Sequence, residues 1–436
     1  MPEHRSATRL AEAGRDGDPN FTAANVAVHR ASTVLFDSLA ATDAASAAVF
    51  VGDEGATTYG TVGTPTTIAL MRALCEIEGA GHAVRASLMP SGLAAITTAL
   101  LAVLAPGDHV LVVDASYGPT RVFCDGMLAR FGIRTTYYDP TIGAAIESLL
   151  RPETKLIWLE SPGSYTFEVQ DVPAICALAR ERGILTMIDN TWASPVFARP
   201  FDWGVDASVI ALTKYWGGHS DVLMGAVVVR EALWPKLWSA VRQLGQCAGA
   251  DDAWLVLRGL RSADVRMRRH EANALAVARW LEARPEVARV LHPALPSHPQ
   301  HALWRRDFSG SSGLFSFELD RALFVRGPAS APEPAFASDT APAHGRADER
   351  ERERERERAA IAAFCEGRRH FAIGYSWGGF ESLIMPARID RMRTAKPWTG
   401  GPLVRLHVGL EDPADLIADL DGGFDAMRRA LDAQSG

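Results

Sequence analysis

From about residue 64 to 230 the chain alternates short apolar runs with stretches whose apolar positions recur every three or four residues. HAVRASLMP (82–90) reads as a strand, and SGLAAITTALLAVLAPGD (91–108) as a helix closed by Pro-Gly. HVLVVDAS (109–116) is a second strand, followed by PTRVFCDGMLARFG (119–132), a helix ending at Gly132. KLIWLESPG (155–163), VPAICALARERG (172–183), ILTMIDNTW (184–192), ASVIALTKY (207–215) and LMGAVVV (223–229) continue the rhythm. Strands apolar on both sides imply a buried, mostly parallel sheet covered by helices on both faces, an α/β fold. Ligands of such sheets bind at the carboxyl ends of the strands.

The pattern changes after residue 261. A long amphipathic stretch over 263–284 predicts a helix leading into a smaller α/β domain. Its strands would be GLFSFELD (313–320), HFAIGYSWGG (370–379) and LVRLHVGLE (403–411), and its terminal helix PADLIADLDGGFDAMRRALD (413–432). Residues 1–63 fit neither rhythm and read as an arm for subunit contacts. The expected division is therefore an arm (1–63), a large ligand-binding domain (64–261) and a small domain (262–436). Within the small domain, 326–358 opens rich in Pro, Ala and Ser and ends in alternating Glu and Arg. Its first part cannot bury enough apolar surface to order itself, and in its second part opposite charges meet at i,i+3 but like charges at i,i+4. It is expected to be a disordered, solvated insertion before a helix over AAIAAFCEG (359–367), with an interaction tail as the other reading.

Composition narrows the function classes. At 436 residues the chain exceeds the size of a single core, and 47% hydrophobic content suits a globular protein. A net charge of −7 argues against a nucleic-acid partner. No run reads as a membrane span or a secretion signal, and five dispersed cysteines without C-x-x-C spacing fit reduced thiols. A cytoplasmic location is expected, without a disulfide frame or a metal site.

One position stands out against the basic residues. Of 45, only four are lysines (Lys155, Lys214, Lys236, Lys396), and Lys214 lies just past the apolar run ASVIAL and before Gly217-Gly218. A lysine amine condenses with an aldehyde and a guanidinium does not, and apolar surroundings favour its neutral form. The alternative is a lysine whose amine reaches solvent. Asp189 closes the preceding strand and would face the same ligand, unless it only forms the turn. Ser91, Gly92 and Leu93 open a helix whose free amides suit a phosphate, although Ser-Gly also serves as a plain cap. Thr213 offers a hydroxyl to that phosphate. Tyr117, in DASYGPT, could lie flat against a flat cofactor or be an ordinary half-buried aromatic. Arg405, inside a strand, suits a substrate carboxylate or a structural ion pair.

Together LESPGSYTFEVQDVPAI, MIDNTWA, TKYWGGHSD, HPALP, GSSGLFSFEL, YSWGGFESL and RLHVGLEDPADLIADLD resemble, in order and spacing, the cysteine/methionine-metabolism family of pyridoxal-phosphate enzymes. The likeness runs from about residue 28 to the C-terminus, interrupted only at 326–358. It implies fold type I, the aspartate-aminotransferase-like fold, and a homotetramer built as a dimer of dimers. It implies that Lys214 binds the cofactor covalently and then moves protons, with Tyr117, stacked on the ring, as the other catalytic residue. Asp189 would pair with the pyridine nitrogen. Gly92, Leu93 and Thr213 would hold the phosphate, with Tyr59 reaching it from a neighbouring subunit. Arg405 would clamp the α-carboxylate, helped by Ser376, with Trp377 and Tyr375 beside the substrate. Ala211 stands where many relatives have a serine. Thr61, in YGTVGT, stands where the family has an arginine, a loss of about 1.5–3 kcal/mol if nothing replaces that charged phosphate contact.

Relatives acting at the γ-carbon tend to carry an acidic residue where this chain has Tyr375. The resemblance therefore implies β-elimination from a small amino-acid substrate, L-cystathionine, giving homocysteine, pyruvate and ammonia. The other readings are another carbon–sulfur lyase or γ-type chemistry, and a non-catalytic regulatory protein that keeps the cofactor.

Overall fold

The computed structural model describes residues 6–15, 23–324, 343–389 and 392–433. Among these residues the strands form two sheets. The larger contains β1 (Val84–Met89), β2 (His109–Val113), β3 (Arg134–Tyr138), β4 (Thr154–Glu160), β5 (Leu185–Asp189), β6 (Ala207–Ala211) and β7 (Gly225–Arg230), in the order β1-β7-β6-β5-β4-β2-β3. Its pairings from β3 to β6 are parallel, and β7 runs antiparallel to both β1 and β6. The strand pattern is thus mostly parallel, as the continuous apolar runs require.

Side-chain alternation places two cores on this sheet. Leu111, Val113, Ile157 and Leu159 face one side, with helices Pro65–Ile77 and Val172–Glu181. Val110, Val112, Leu156 and Trp158 face the other, with helices Gly92–Val103 and Trp234–Gln243. Each such fully buried aliphatic residue stabilises the fold by about 1.5–3 kcal/mol relative to exposure. After β3 the chain crosses back over β2 to form β4. The loops following β2 and β4 therefore diverge, and the crevice they leave lies at the carboxyl ends of the strands.

The smaller sheet contains β8 (Val287–Leu291), β9 (Leu314–Leu319), β10 (Phe371–Ile373), β11 (Ser382–Ala387) and β12 (Leu403–His407), in the order β10-β11-β12-β9-β8. Helix Ala263–Glu282 leads into it from the large-sheet half. Its core gathers Phe315 and Phe317 of β9, Val404 and Leu406 of β12, and Phe364 and Phe424 from helices, the last two rings 4.7 Å apart.

One expectation changes. The disordered stretch proposed over 326–358 does not extend to 358, because one helix runs through Ala343–Cys365. Ala360, Ile361 and Phe364 are buried in the small core and anchor its end, while the Glu-Arg run from 351 to 355 stays on its solvent side. The start of that segment, 326–342, lies outside the described residues. Within the expected arm, helix Ser6–Glu12 puts Leu10 into this chain's own large core, and Arg261 Nη1 donates to the carbonyl of Ala13 at 2.7 Å.

Candidate active site

The crevice is a cavity of about 300 Å3 lined from both halves of the chain. Lys214 sits in the turn after β6, where its amide donates to Ala211 O at 3.1 Å and its carbonyl accepts from Gly218 N at 2.7 Å. The loop after β10 packs directly on this turn. Gly378 has φ 89°, and a Cβ there would stand 3.0 Å from the Lys214 backbone, so only glycine permits the approach. Ser376, at φ 79°, occupies a left-handed conformation that costs a non-glycine residue about 1–3 kcal/mol. Gly378 N, donating to His407 Nε2 at 3.1 Å, and Arg405 Nη2, donating to Ser376 O at 3.3 Å, hold the loop there. The result is a hydrogen bond from Lys214 Nζ to Ser376 Oγ at 2.5 Å, with the amine 5.3 Å from the centre of the Trp377 ring. Burial, assisted by the charge of Arg405 and opposed by Asp189, lowers the Lys214 pKa to about 8.

Asp189 ends β5, next to β6. Its Oδ1 accepts from Thr191 N at 3.0 Å and Thr191 Oγ1 at 2.6 Å. Among the described residues no protein donor reaches its other oxygen, which is left for a ligand. Burial pushes its pKa up, and the Thr191 bonds and the Lys214 charge pull against that. Thr191 Oγ1 also accepts from Ala211 N at 3.0 Å, which ties the acid to the end of the lysine's strand.

Elsewhere on the cavity wall, Ser91 Oγ caps helix Gly92–Val103 by accepting from Ala94 N at 3.1 Å. The Gly92 and Leu93 amides have no protein acceptor among the described residues, so two donors at the positive end of a helix face the cavity. A Cβ at Gly92 would come within 2.7 Å of Ala211 Cβ; the small residue at 211 and the glycine at 92 together make this cradle. Thr213 lines the cavity, but its hydroxyl donates to Met224 O at 3.1 Å and accepts from Met224 N at 3.0 Å. Donating to a phosphate would require that hydroxyl to leave Met224 O.

Arg405 points into the cavity with no carboxylate paired to it among the described residues; its Cζ lies 5.7 Å from the centroid of the Tyr165 ring. A half-buried guanidinium without a counter-ion is a ready partner for a ligand carboxylate. Tyr117 follows β2, its amide donating to Glu160 Oε2 at 2.7 Å while its ring remains half-exposed at the mouth. Burial raises its phenol pKa, so it stays protonated at neutral pH. Trp377 lines the wall and Tyr375 the rim, where it is 87% exposed.

Lys214, Asp189, Tyr117, Gly92, Leu93, Thr213, Arg405, Ser376, Trp377 and Tyr375 are thus brought to one cavity. Tyr59 is not. With Thr61 it lines a separate cavity of about 330 Å3, together with Arg242 and Gln246. Sequence reasoning misses Glu160, Ser164 and Tyr165. Glu160 ends β4 beside Asp189, and Ser164 Oγ donates to its Oε1 at 2.7 Å. A signal for Glu160 does exist: it is an acid closing an apolar run, as Asp189 is.

The donor set fits pyridoxal phosphate. Two unpaired helix amides suit the phosphate, a carboxylate oxygen without a partner suits a protonated pyridine nitrogen, and an amine with a lowered pKa suits the aldehyde. Among the described residues, those lining the phosphate end offer amides and hydroxyls but no cation.

Comparison with known proteins agrees with this chemistry. The model of the family described as Cys/Met metabolism PLP-dependent enzyme matches residues 7–330 and 352–425. A putative cystathionine beta-lyase of Rhizobium johnstonii is 48% identical over 419 residues, 96% of each chain. Cystathionine beta-lyase MetC of Escherichia coli is 40% identical over 97% of this chain and 99% of its own. Among solved structures, cystathionine gamma synthase from Xanthomonas oryzae pv. oryzae, in complex with aminoacrylate and cysteine, superposes with a TM-score of 0.80. It shares 30% identity and covers 98% of this chain and 100% of its own.

Proposed function

The chain belongs to the Cys/Met-metabolism family of pyridoxal-phosphate-dependent enzymes, and from that premise we propose that it is a carbon–sulfur lyase that cleaves L-cystathionine. Cystathionine and water yield homocysteine, pyruvate and ammonia. The observation that carries this reading is the meeting, in one cavity, of a lysine amine shifted to about 8 and an arginine without a counter-ion among the described residues.

Pyridoxal phosphate, when bound, supplies the electron-withdrawing ring that makes the α-proton of an amino acid acidic. The protein's groups divide the remaining work. Arg405 binds the substrate α-carboxylate and so fixes which bond at Cα faces Lys214. The Lys214 amine takes the α-proton. Ser376 Oγ, which accepts from that amine, keeps it aimed at Cα. Asp189 would hold the pyridine nitrogen protonated, and the Gly92 and Leu93 amides the phosphate. Tyr117 covers the open face and keeps water from it. The leaving group is the β-thiolate, which takes up a proton as homocysteine.

We infer β- rather than γ-chemistry from Tyr375, a neutral phenol where γ-acting relatives tend to place an acid. The several beta-lyase relatives favour the same side. We infer an assembly, a homotetramer in the family's pattern, because Tyr59 lies away from the Lys214 cavity within one chain. Leu35, Leu39 and Phe50 of the same N-terminal region are 75–89% exposed, which suits burial against a second copy. The free cysteines agree with a cytoplasmic location.

The test is product analysis with L-cystathionine and added pyridoxal phosphate. Pyruvate with homocysteine is the expected result; 2-oxobutyrate with cysteine would assign the enzyme to γ-elimination instead.

A further inference from the structure

A buried carboxylate that the chemistry above does not use lies beneath the floor of the cavity. Glu78 caps the C-terminal end of helix Pro65–Ile77 and is 2% exposed. Among the described residues no cation pairs with it. Its partners are three neutral groups: Asn190 Nδ2 donates to Oε1 at 2.7 Å, Ser194 Oγ to Oε2 at 2.9 Å, and Ser208 Oγ bonds Oε1. Burying an unpaired carboxylate is costly, and well-packed apolar residues would stabilise the same place at less expense. Its presence calls for a reason beyond packing.

The addresses of its partners supply one. Asn190 directly follows Asp189. Ser208 lies on β6, the strand that leads to Lys214. Ser194 Oγ accepts from Trp216 Nε1 at 2.9 Å, and Trp216 is two residues past Lys214. A single carboxylate thus gathers the segment behind the acid and the segment behind the amine. In this arrangement Asn190 Nδ2 donates to Oε1, and Ser194 Oγ, which accepts from Trp216, donates to Oε2, so both oxygens of residue 78 accept.

We propose that Glu78 is a positioning residue: through Asn190, and through Ser194 and Trp216, it sets where Asp189 and Lys214 stand relative to each other. The inference rests on the reading that these two residues hold the cofactor. It makes Glu78→Gln informative, because one of the two acceptor oxygens becomes an amide donor in a side chain of nearly unchanged size, so that Asn190 or Ser194 must turn to keep its hydrogen bond.

The experiment compares the holoenzymes of wild type, Glu78→Gln, Ser194→Ala and Trp216→Phe by three readouts: steady-state turnover of cystathionine, the pH titration of the visible cofactor band, and thermal stability. In Glu78→Gln, kcat is expected to fall about tenfold with KM within about twofold, and the midpoint of the band to move by about half a pH unit or more. Ser194→Ala and Trp216→Phe should move that midpoint in the same direction by less, and adding Ser194→Ala to Glu78→Gln should cost less than the product of the single effects. A lowered melting temperature with wild-type kcat and a wild-type band titration would overturn the proposal, leaving Glu78 a fold residue. If Glu78→Gln does not fold, the Ser194 and Trp216 variants decide by the same criterion. A wild type without any titrating band would overturn both this inference and the reading it rests on. A normal wild type beside an unperturbed Glu78→Gln overturns the inference alone.

Discussion

At the scale of single residues, burial gives two cations of the cavity their chemistry. Lys214 is held near a pKa of about 8, below a lysine's usual range. Below that pH most of the amine carries a proton and cannot attack an aldehyde; above it the free base dominates. The rate at which cofactor-free protein develops visible absorbance on mixing with pyridoxal phosphate should therefore rise about tenfold per pH unit toward 8 and level off beyond it. A stopped-flow pH series reads this directly, and a rate still climbing steeply at pH 10 would mean the amine is not depressed. Arg405 makes the complementary prediction. It has no carboxylate of its own among the described residues, so Arg405→Ala removes a charge-assisted contact that only the substrate completes. A loss of about 1.5–3 kcal/mol corresponds to a fall in kcat/KM of about 10- to 150-fold. Steady-state kinetics with unchanged cofactor absorbance would separate this from a loss of cofactor.

At the scale of elements, the site is held together by segments that reach from the small sheet to the large one. The clearest is 392–402, between β11 and β12, which is pinned by Asp114 at the end of β2. The Asp114 carboxylate accepts from the amides of Thr394, Ala395 and Lys396 at 2.9–3.0 Å and from Arg121 Nη1 at 3.0 Å. Burial alone would raise its pKa, but the amides and Arg121 outweigh it and hold the acid below its ordinary value. A carboxylate depressed in the folded state stabilises the fold above its unfolded pKa, and this contribution is lost as pH falls through the folded one. Asp114→Ala should cost about 3–5 kcal/mol at pH 7, because it strands a buried arginine and several amides. The difference from wild type should shrink when denaturant unfolding is repeated below about pH 4, where the unfolded-state carboxylate is itself protonated.

The elements also differ in how plainly the sequence announces them. The apolar runs that become β1, β2, β4, β5, β6 and β7 stand out because they are buried on both faces. β3, RTTYY, does not, since a sheet-edge strand needs few apolar residues. β8 and β11 escape the pattern as well, and the run HFAIGYSWGG gives only the three residues of β10 before turning into the loop that carries Tyr375, Ser376 and Trp377. Glu160, Ser164 and Tyr165 aside, the residues of the Lys214 cavity named above are legible: Lys214, Asp189, Tyr117 and Gly92 at strand ends or a helix start, and Arg405 as a charge inside an apolar strand. Glu78 and Asp114 are not. Their importance lies mainly in partners more than a hundred residues away, and no local pattern marks them. The helix over 343–365 is obscured differently: its charge run suggests solvation, while the apolar end that anchors it comes afterwards in the chain.

At the scale of the whole molecule, the two sheets meet at one cavity to which each contributes a cation and its support. One chain does not bring every expected contact to it. Tyr59 opens onto a different cavity beside Thr61, so its expected contact with the cofactor phosphate requires a second copy. If the subunits share the site in this way, Tyr59→Phe should raise the dissociation constant for pyridoxal phosphate by up to about tenfold, the worth of one hydrogen bond, despite its distance from Lys214 within its own chain. A titration showing unchanged affinity would remove Tyr59 from the site.

The central claim is that Lys214 carries the cofactor, and the small number of lysines makes it simple to test. Holoenzyme reduced with borohydride and digested should yield a phosphopyridoxyl group on the peptide containing Lys214, and none on the peptides of Lys155, Lys236 or Lys396. A label on one of those three, or on no lysine at all, would contradict the account.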